Sequence, residues 1–193
     1  MEMKEKIIHF VTGNIYKFQV AQKALEGTGI ELVQEELDTP EIQSTSVEEI
    51  SSYSAKWAAE KIGKPVAVTD AGYYIDALDG FPGPFIKYIN QWLSSEDLIK
   101  LMEGQTNRKV VVREGLAYCE PGKDPVTFSG ESFGTIALRQ VITDKPGSTS
   151  INEIFIPVGF DKVETEISKE KMIEFWSNSD PWKKLAEYLN SER

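Results

Sequence analysis

An α/β fold is what this sequence predicts, and three observations predict it. The first is a β-branched and aromatic run, Ile7 to Val11, which passes through Thr12-Gly13-Asn14 into a helical spacing of Phe18, Ala21 and Leu25. The second is Val66-Ala67-Val68, a short buried-strand pattern that delivers Thr69-Asp70-Ala71-Gly72 at its C-terminal end. The third is length: 193 residues with no linker-like shift in composition suffice for one large domain with a real core, so 1–193 is expected to be a single domain.

The remaining elements follow in order. Gly27 closes the first helix, Ile30 to Val33 reads as a short strand, and Asp38 to Gln43 as an irregular segment. Ser46 and Glu49 have capping-box spacing ahead of an apolar face of Val47, Ile50, Tyr53 and Trp57, and Gly63 followed by Pro65 ends that helix. Residues 76 to 86, with Gly80, Pro82, Gly83 and Pro84, carry too many breakers for a regular element and predict a shaped loop. Ser94 and Asp97 start a short helix that closes at Gly104. From Lys109 to about Leu138, short strands and turns predict a hairpin-rich sheet: Val110 to Val112, Leu116 to Tyr118, Val126 to Phe128 and Gly134 to Leu138. Ile154 to Pro157 is strand-like, Ser168 to Trp176 helical, and Asp180-Pro181 reads as the N-cap and N1 pair of a last helix burying Trp182, Leu185, Ala186 and Leu189.

Composition narrows the function. A formal net charge of −10 argues against a nucleic-acid polymer as partner, because binding a phosphate backbone needs a basic face. Single nucleotides need only a few local cations or a metal. The charged N-terminus has neither an apolar signal region nor a spanning segment, which predicts a soluble, cytoplasmic protein without membrane contact. The lone Cys119 forms no internal disulfide and no Cys-rich zinc site. The single histidine, His9, lies within the first strand pattern, which sets aside Ser-His-Asp and Cys-His chemistry.

The chemistry-bearing residues are then a turn and a few carboxylates. Small residues between a strand and a helix leave backbone N–H groups uncovered, and the helix N-terminus adds partial positive charge, so Thr12, Gly13 and Asn14 can receive an anion such as phosphate. Lys17 adds a full charge. The same turn is also readable as a plain junction in which Asn14 only caps. Asp70, at a strand end beside a small residue and a glycine, is placed to project into a site, and Glu41 lies where no helix constrains a ligand. Two carboxylates with phosphate oxygens and water suffice for Mg²⁺. Alternatively Asp70 caps a turn and Glu41 is solvated.

The strings TGNIYK, PEIQ, VAVTDAG, ALDGFPGPFIKY and FSGESFG occur here in the order and spacing of the inosine triphosphate pyrophosphatase family, and from about residue 7 to residue 190 the chain resembles that family. The resemblance implies an elongated α/β fold with a mixed central sheet flanked by helices, two lobes with a cleft between them, and homodimerisation. The implied activity is Mg²⁺-dependent hydrolysis of non-standard purine nucleoside triphosphates to monophosphate and pyrophosphate, with Mn²⁺ as the alternative metal. It also implies roles: Thr12, Gly13, Asn14 and Lys17 on the phosphates, Glu41 on metal, Asp70 on metal or the attacking water, and Lys87 beside the nucleotide.

The chain departs from the family pattern at several places. Thr69 stands where an acid is usual. The aspartate of the family's Phe-Gly-aromatic-Asp-Pro segment falls on Asn152, and its aromatic residues are absent. The late Ser-His-Arg falls near Trp176-Ser177-Asn178-Ser179, and the lysine upstream aligns with Met172, or with Lys171 after a one-residue shift. Phosphate-side positions are largely kept and base-side positions largely replaced, which predicts altered or weakened base recognition, with Asn152, Ser177 and Asn178 as the polar residues facing the base. Two other readings compete. One is a non-catalytic nucleotide- or phosphate-binding relative; the other, a Maf-type pyrophosphatase acting on modified pyrimidines, fits the ALDGFPGP loop less well.

Overall fold

In the computed structural model, which describes residues 6–144 and 147–191, the opening apolar run forms strand β1 (Lys6–Val11) and the helical pattern after it forms α1 (Ile15–Ala24). The charged stretch 1–5 lies outside the described residues. Strand β2 (Ile30–Glu35) leads into a segment without regular structure, 36–45, and then into α2 (Val47–Ile62). Only half of the expected capping box forms at α2. Ser46 Oγ accepts the Glu49 N–H at 3.2 Å, but the Glu49 carboxylate accepts from Ser44 Oγ, 2.7 Å away, while the Ser46 hydroxyl donates to Glu48. Gly63 ends the helix in the left-handed region, φ 71°, as the Gly-x-Pro pattern predicts.

Strand β3 (Val66–Ile75) runs on well past Val68, so Asp70 lies inside a strand and not at its end. Beyond Gly72 the strand has a further partner. The expected loop 76–86 contains a 3₁₀ turn (Asp76–Leu78) and a two-residue strand, β4 (Pro82–Gly83), which pairs antiparallel with Tyr73 and Tyr74. Any Cβ on Gly72 would stand 2.7 Å from the Gly83 carbonyl carbon, so the two backbones meet only because position 72 is glycine. Helix α3 (Ile86–Trp92) was not legible from the sequence, since two turns held by Ile86 and Ile89 give too little periodicity. Helix α4 (Ser95–Leu101) begins at the chain's complete capping box, Ser94 with Asp97.

The four short strands expected from 109 to 138 are two long ones, β5 (Lys109–Cys119) and β6 (Val126–Ile136). Gly115 and Gly130 lie in the stretches left between those short strands. They are places where helices come close: a Cβ on Gly115 would meet the Val47 backbone at 2.8 Å, and one on Gly130 would meet Pro181 Cδ at 2.4 Å. Strand β7 (Phe155–Pro157), helix α5 (Lys169–Ser177) and helix α6 (Asp180–Ser191) complete the order, with α6 starting at Asp180 itself. The strands are ordered β2-β1-β3-β5-β6-β7, with β4 on β3. β1 is parallel to both β2 and β3, whereas β3–β4 and β6–β7 are antiparallel, so the sheet is mixed, as expected. No described helix is long and apolar enough to cross a membrane.

The chain divides into two compact units. The first, Met1–Asp70 with Glu114–Gly130 and Ile173–Arg193, has one buried cluster on each side of its strands. On one side Phe10, Ala67, Leu116 and Tyr118 pack with Ala21 and Leu25 of α1 and Trp182, Leu185 and Leu189 of α6. On the other, Val11, Val66, Val68, Ala117 and Cys119 pack with Ala55, Ala58 and Ala59 of α2. Trp182 is 1% exposed and stands edge-on to Phe10 at 4.9 Å; truncating such a side chain to alanine costs about 3–5 kcal/mol. The second unit, Ala71–Arg113 with Glu131–Met172, buries Ile75, Leu98, Met102, Ile151, Ile154 and Phe155.

Candidate active site

The Thr12-Gly13-Asn14 turn is held from three directions. The Thr12 N–H donates to Glu35 O at 2.9 Å, Gln34 Nε2 donates to Thr12 O at 2.9 Å, and Asn14 Oδ1 accepts the N–H groups of Tyr16 (2.9 Å) and Lys17 (3.2 Å). Asn14 is therefore the N-cap of α1, and the capping role is realised. A phosphate role is not displaced by it, because a Cβ built on Gly13 meets nothing within 4 Å: the turn is open beside its cap. Electrostatics point the same way. α2, α4, α5 and α6 each carry acids in their first turn, whereas α1 and α3 have none there, and α1 has Lys17 instead.

Parallel pairing of β1 with β2 and β3 brings the C-terminal ends of β1 and β2 together and sets Asp70, farther along β3, beside the strand end that opens into this turn. Strand alternation assigns sides. Asp70 follows Val68 onto the α2 side, and the Glu41 segment is fastened there by Ser54 Oγ, which donates to Pro40 O at 3.3 Å. Glu41 itself is exposed and Asp70 half-buried. Among the described residues no three His, Cys, Asp or Glu side chains gather into a metal-binding group.

On the α1–α6 side the sheet presents an acid that sequence reasoning missed. Glu114 precedes Leu116 in the inward row of β5 and shares its side with Thr69. Its carboxylate accepts from Ser179 Oγ at 3.0 Å and from the Trp182 side chain. Although the residue keeps some exposure, desolvation of the carboxyl pushes its pKa up, opposed first by the positive charge of Lys17 and then by those two hydrogen bonds. A signal existed: the apolar Val110, Val112, Leu116 and Tyr118 stand at every second position, and a glutamate stands in their row.

The other expected site residues are placed as follows. Ser177 is buried and its hydroxyl donates to Glu174 O; Asn178 is exposed and its Nδ2 donates to the same carbonyl, so both finish the last turn of α5, and it is Ser179 that reaches across to the sheet. In the second unit, Lys87 is exposed on α3. Asn152 closes a tight turn: its Oδ1 accepts from Thr149 N–H (3.2 Å) and Oγ1 (2.6 Å), and its Nδ2 donates to Glu164 at 2.8 Å. His9 is buried against Glu35, Nδ1 to Oε1 2.6 Å, away from any nucleophile pairing.

Fold and turn together define a mixed α/β protein whose first strand runs at its C-terminal end into an open turn. The Ham1 family profile matches residues 8–188, and the chain belongs to that family. A protein of Methanopyrus kandleri named dITP/XTP pyrophosphatase is 41% identical over 182 residues, covering 94% of this chain and 95% of the relative. One of Methanothermobacter marburgensis with the same name is 34% identical over 183 residues, 94% and 95% of the two chains. The structure of a HAM1 protein from Coxiella burnetii superposes with a TM-score of 0.77 at 19% identity over 96% of this chain and 99% of that one, a likeness of fold. The resemblance read from the sequence is thereby confirmed, and the relatives' names are those of hydrolases.

Proposed function

We propose that this protein hydrolyses nucleoside triphosphates, non-standard purine forms included, to monophosphate and pyrophosphate, as a cytoplasmic homodimer with weakened base recognition. The observation that carries the reading is the α1 N-terminus: open at Gly13, without a first-turn acid, and furnished with Lys17, in a chain whose full-length relatives are named pyrophosphatases.

The N–H groups that the cap leaves uncovered, with Lys17, bind the phosphate chain and draw off negative charge that grows as pyrophosphate leaves. Asp70 orients a water for attack on the α-phosphorus and holds its proton. Glu41 and Asp70, hard oxygen donors on one side of the sheet, fit Mg²⁺ or Mn²⁺ once phosphate oxygens and waters complete the shell; bound there, the metal supplies Lewis-acid stabilisation of the phosphates. With Thr69 neutral, metal is expected to bind weakly before nucleotide does. Base recognition is read as weak because Asn152, Ser177 and Asn178 direct donors into their own turns.

The test is a screen of nucleoside triphosphates with Mg²⁺ or Mn²⁺ that follows pyrophosphate and monophosphate together. Equimolar release of both supports the reading. Release of orthophosphate, or of nothing from any triphosphate, overturns it.

A further inference from the structure

We propose that His9 and Glu35 are positioning residues for the phosphate turn: the His9 ring fastens the end of β2, and that end fixes the backbone from Thr12 to Lys17. The proposal rests on the phosphate reading of that turn and goes beyond it by naming residues that touch no substrate and still set its grip.

Thr12 has both of its backbone polar groups taken by the last two residues of β2. Its N–H donates to Glu35 O at 2.9 Å, and its C=O accepts from Gln34 Nε2 at 2.9 Å. The turn therefore goes where the end of β2 goes. That end needs holding, because β2 stands first in the strand order, with β1 beside it, and after Glu35 the chain enters the irregular segment 36–45. Such a strand end is where a sheet opens first. His9 supplies a tie from two residues back along the ladder, its Nδ1 standing 2.6 Å from Glu35 Oε1. A carboxylate only accepts, so Nδ1–H is the donor, a role open to both the neutral imidazole and the cation.

From there the bonds run on without a gap. Thr12 Oγ1 accepts the Asn14 N–H at 3.1 Å, and Asn14 Oδ1 accepts the Lys17 N–H at 3.2 Å. A histidine in β1 is thus connected to the lysine of α1 through Glu35, Thr12 and Asn14. The fold alone does not call for the pair. His9 shares the α2 side of β1 with Val11, lies in register with Val33 and Val66, and is 8% exposed. A β-branched residue would fill that place with no polar group to satisfy. An imidazole buried there must find a partner, and the partner it finds is the residue that holds Thr12.

Calorimetric titration of the whole protein with inorganic triphosphate and Mg²⁺ reads the phosphate grip with no base present. His9→Val removes the donor, and Glu35→Ala removes the acceptor without opening the core, since that side chain is 34% exposed. Each is expected to raise Kd about threefold to tenfold, within the range by which residues acting through a chain of contacts shift binding. The double variant should lose no more than the larger single, because both break one link. His9→Asn, whose amide N–H takes the place of Nδ1–H, and Glu35→Gln, which keeps the acceptor, should stay within about twofold of wild type. A merely structural pair would lower the urea midpoint and leave Kd alone. Kd unmoved by His9→Val or by Glu35→Ala, single losses that multiply in the double variant, or a loss in Glu35→Gln as large as in Glu35→Ala overturns the proposal while leaving the phosphate site standing. Failure of triphosphate to bind wild type overturns the phosphate reading itself, and this inference with it.

Discussion

Asn14 and Asn152 each organise a tight turn, one at the start of α1 and the other shortly before β7, and they spend their amides differently. Asn14 uses its carbonyl oxygen on two helix N–H groups and stays exposed, with open space beside Gly13. Asn152 uses both ends, accepting from Thr149 twice and donating to Glu164. A turn of the first kind has a binding surface left over after its fold is secured. The second kind consumes its polar groups in securing itself. Thr12, Gly13, Asn14 and Lys17, which match the family pattern, belong to the first turn, and Asn152, one of the replaced positions, belongs to the second.

Four substitutions can break or sharpen that contrast. The largest effect is expected from Asp70→Asn, which should lower kcat by about two or more orders of magnitude with the fold intact, the scale of losing one acid–base group. Steady-state rates and circular dichroism check it; unchanged turnover would remove Asp70 from the chemistry. Asn152→Ala strands Thr149 and Glu164 and should cost about 1–3 kcal/mol of stability in urea unfolding, with little change in substrate preference. A changed preference without destabilisation would mean that Asn152 faces substrate after all. Asn14→Ala, which removes a cap, should cost about 1 kcal/mol and in addition raise KM, since the turn it holds in place is the one proposed to receive phosphate.

The smallest effect is a slope. Desolvation raises the Glu114 pKa, so the folded state binds this proton more tightly than the unfolded chain does. Below the ordinary carboxylate range both states are protonated and nothing is lost. As pH rises from that range towards the raised folded value, the unfolded chain ionises first and wild type loses stability. Glu114→Gln lacks that loss, so the difference in unfolding free energy between variant and wild type should grow in the variant's favour across this window. A constant difference would place Glu114 in an ordinary solvated setting.

How legible the molecule was in its sequence depended on whether neighbours in the chain or neighbours in space decided each element. α2 and α6 were legible because their apolar spacing, Gly63 and Asp180-Pro181 are local signals. β3, β5 and β6 were cut short, and the stretches missed contain Gly72, Gly115 and Gly130, each lying against backbone or a proline that only the structure shows. α3 had two turns and no cap to announce it. In the site, the Thr12–Lys17 turn was readable as strand, small residues and lysine in a row. Glu114 was not, because Arg113-Glu114-Gly115 reads as a turn, and only a continuous β5 shows the glutamate in a buried row beside Ser179 and Trp182. The capping duties of Ser177 and Asn178 were hidden likewise, since nothing in their types distinguishes a residue bonding back to Glu174 from one facing a ligand.

The proposed function makes one claim about specificity from these two turns, the open one at Gly13 and the self-satisfied one at Asn152: phosphates are gripped well and the base poorly. A site built to hydrogen-bond a purine edge rejects the wrong base strongly, because its own polar groups are left unpaired. The ratio of kcat/KM for inosine triphosphate over adenosine triphosphate, measured on the wild-type protein with Mg²⁺, reads this directly. The account expects roughly tenfold or less. A ratio on the order of hundreds or above would contradict it, and would mean that other residues have rebuilt the purine pocket.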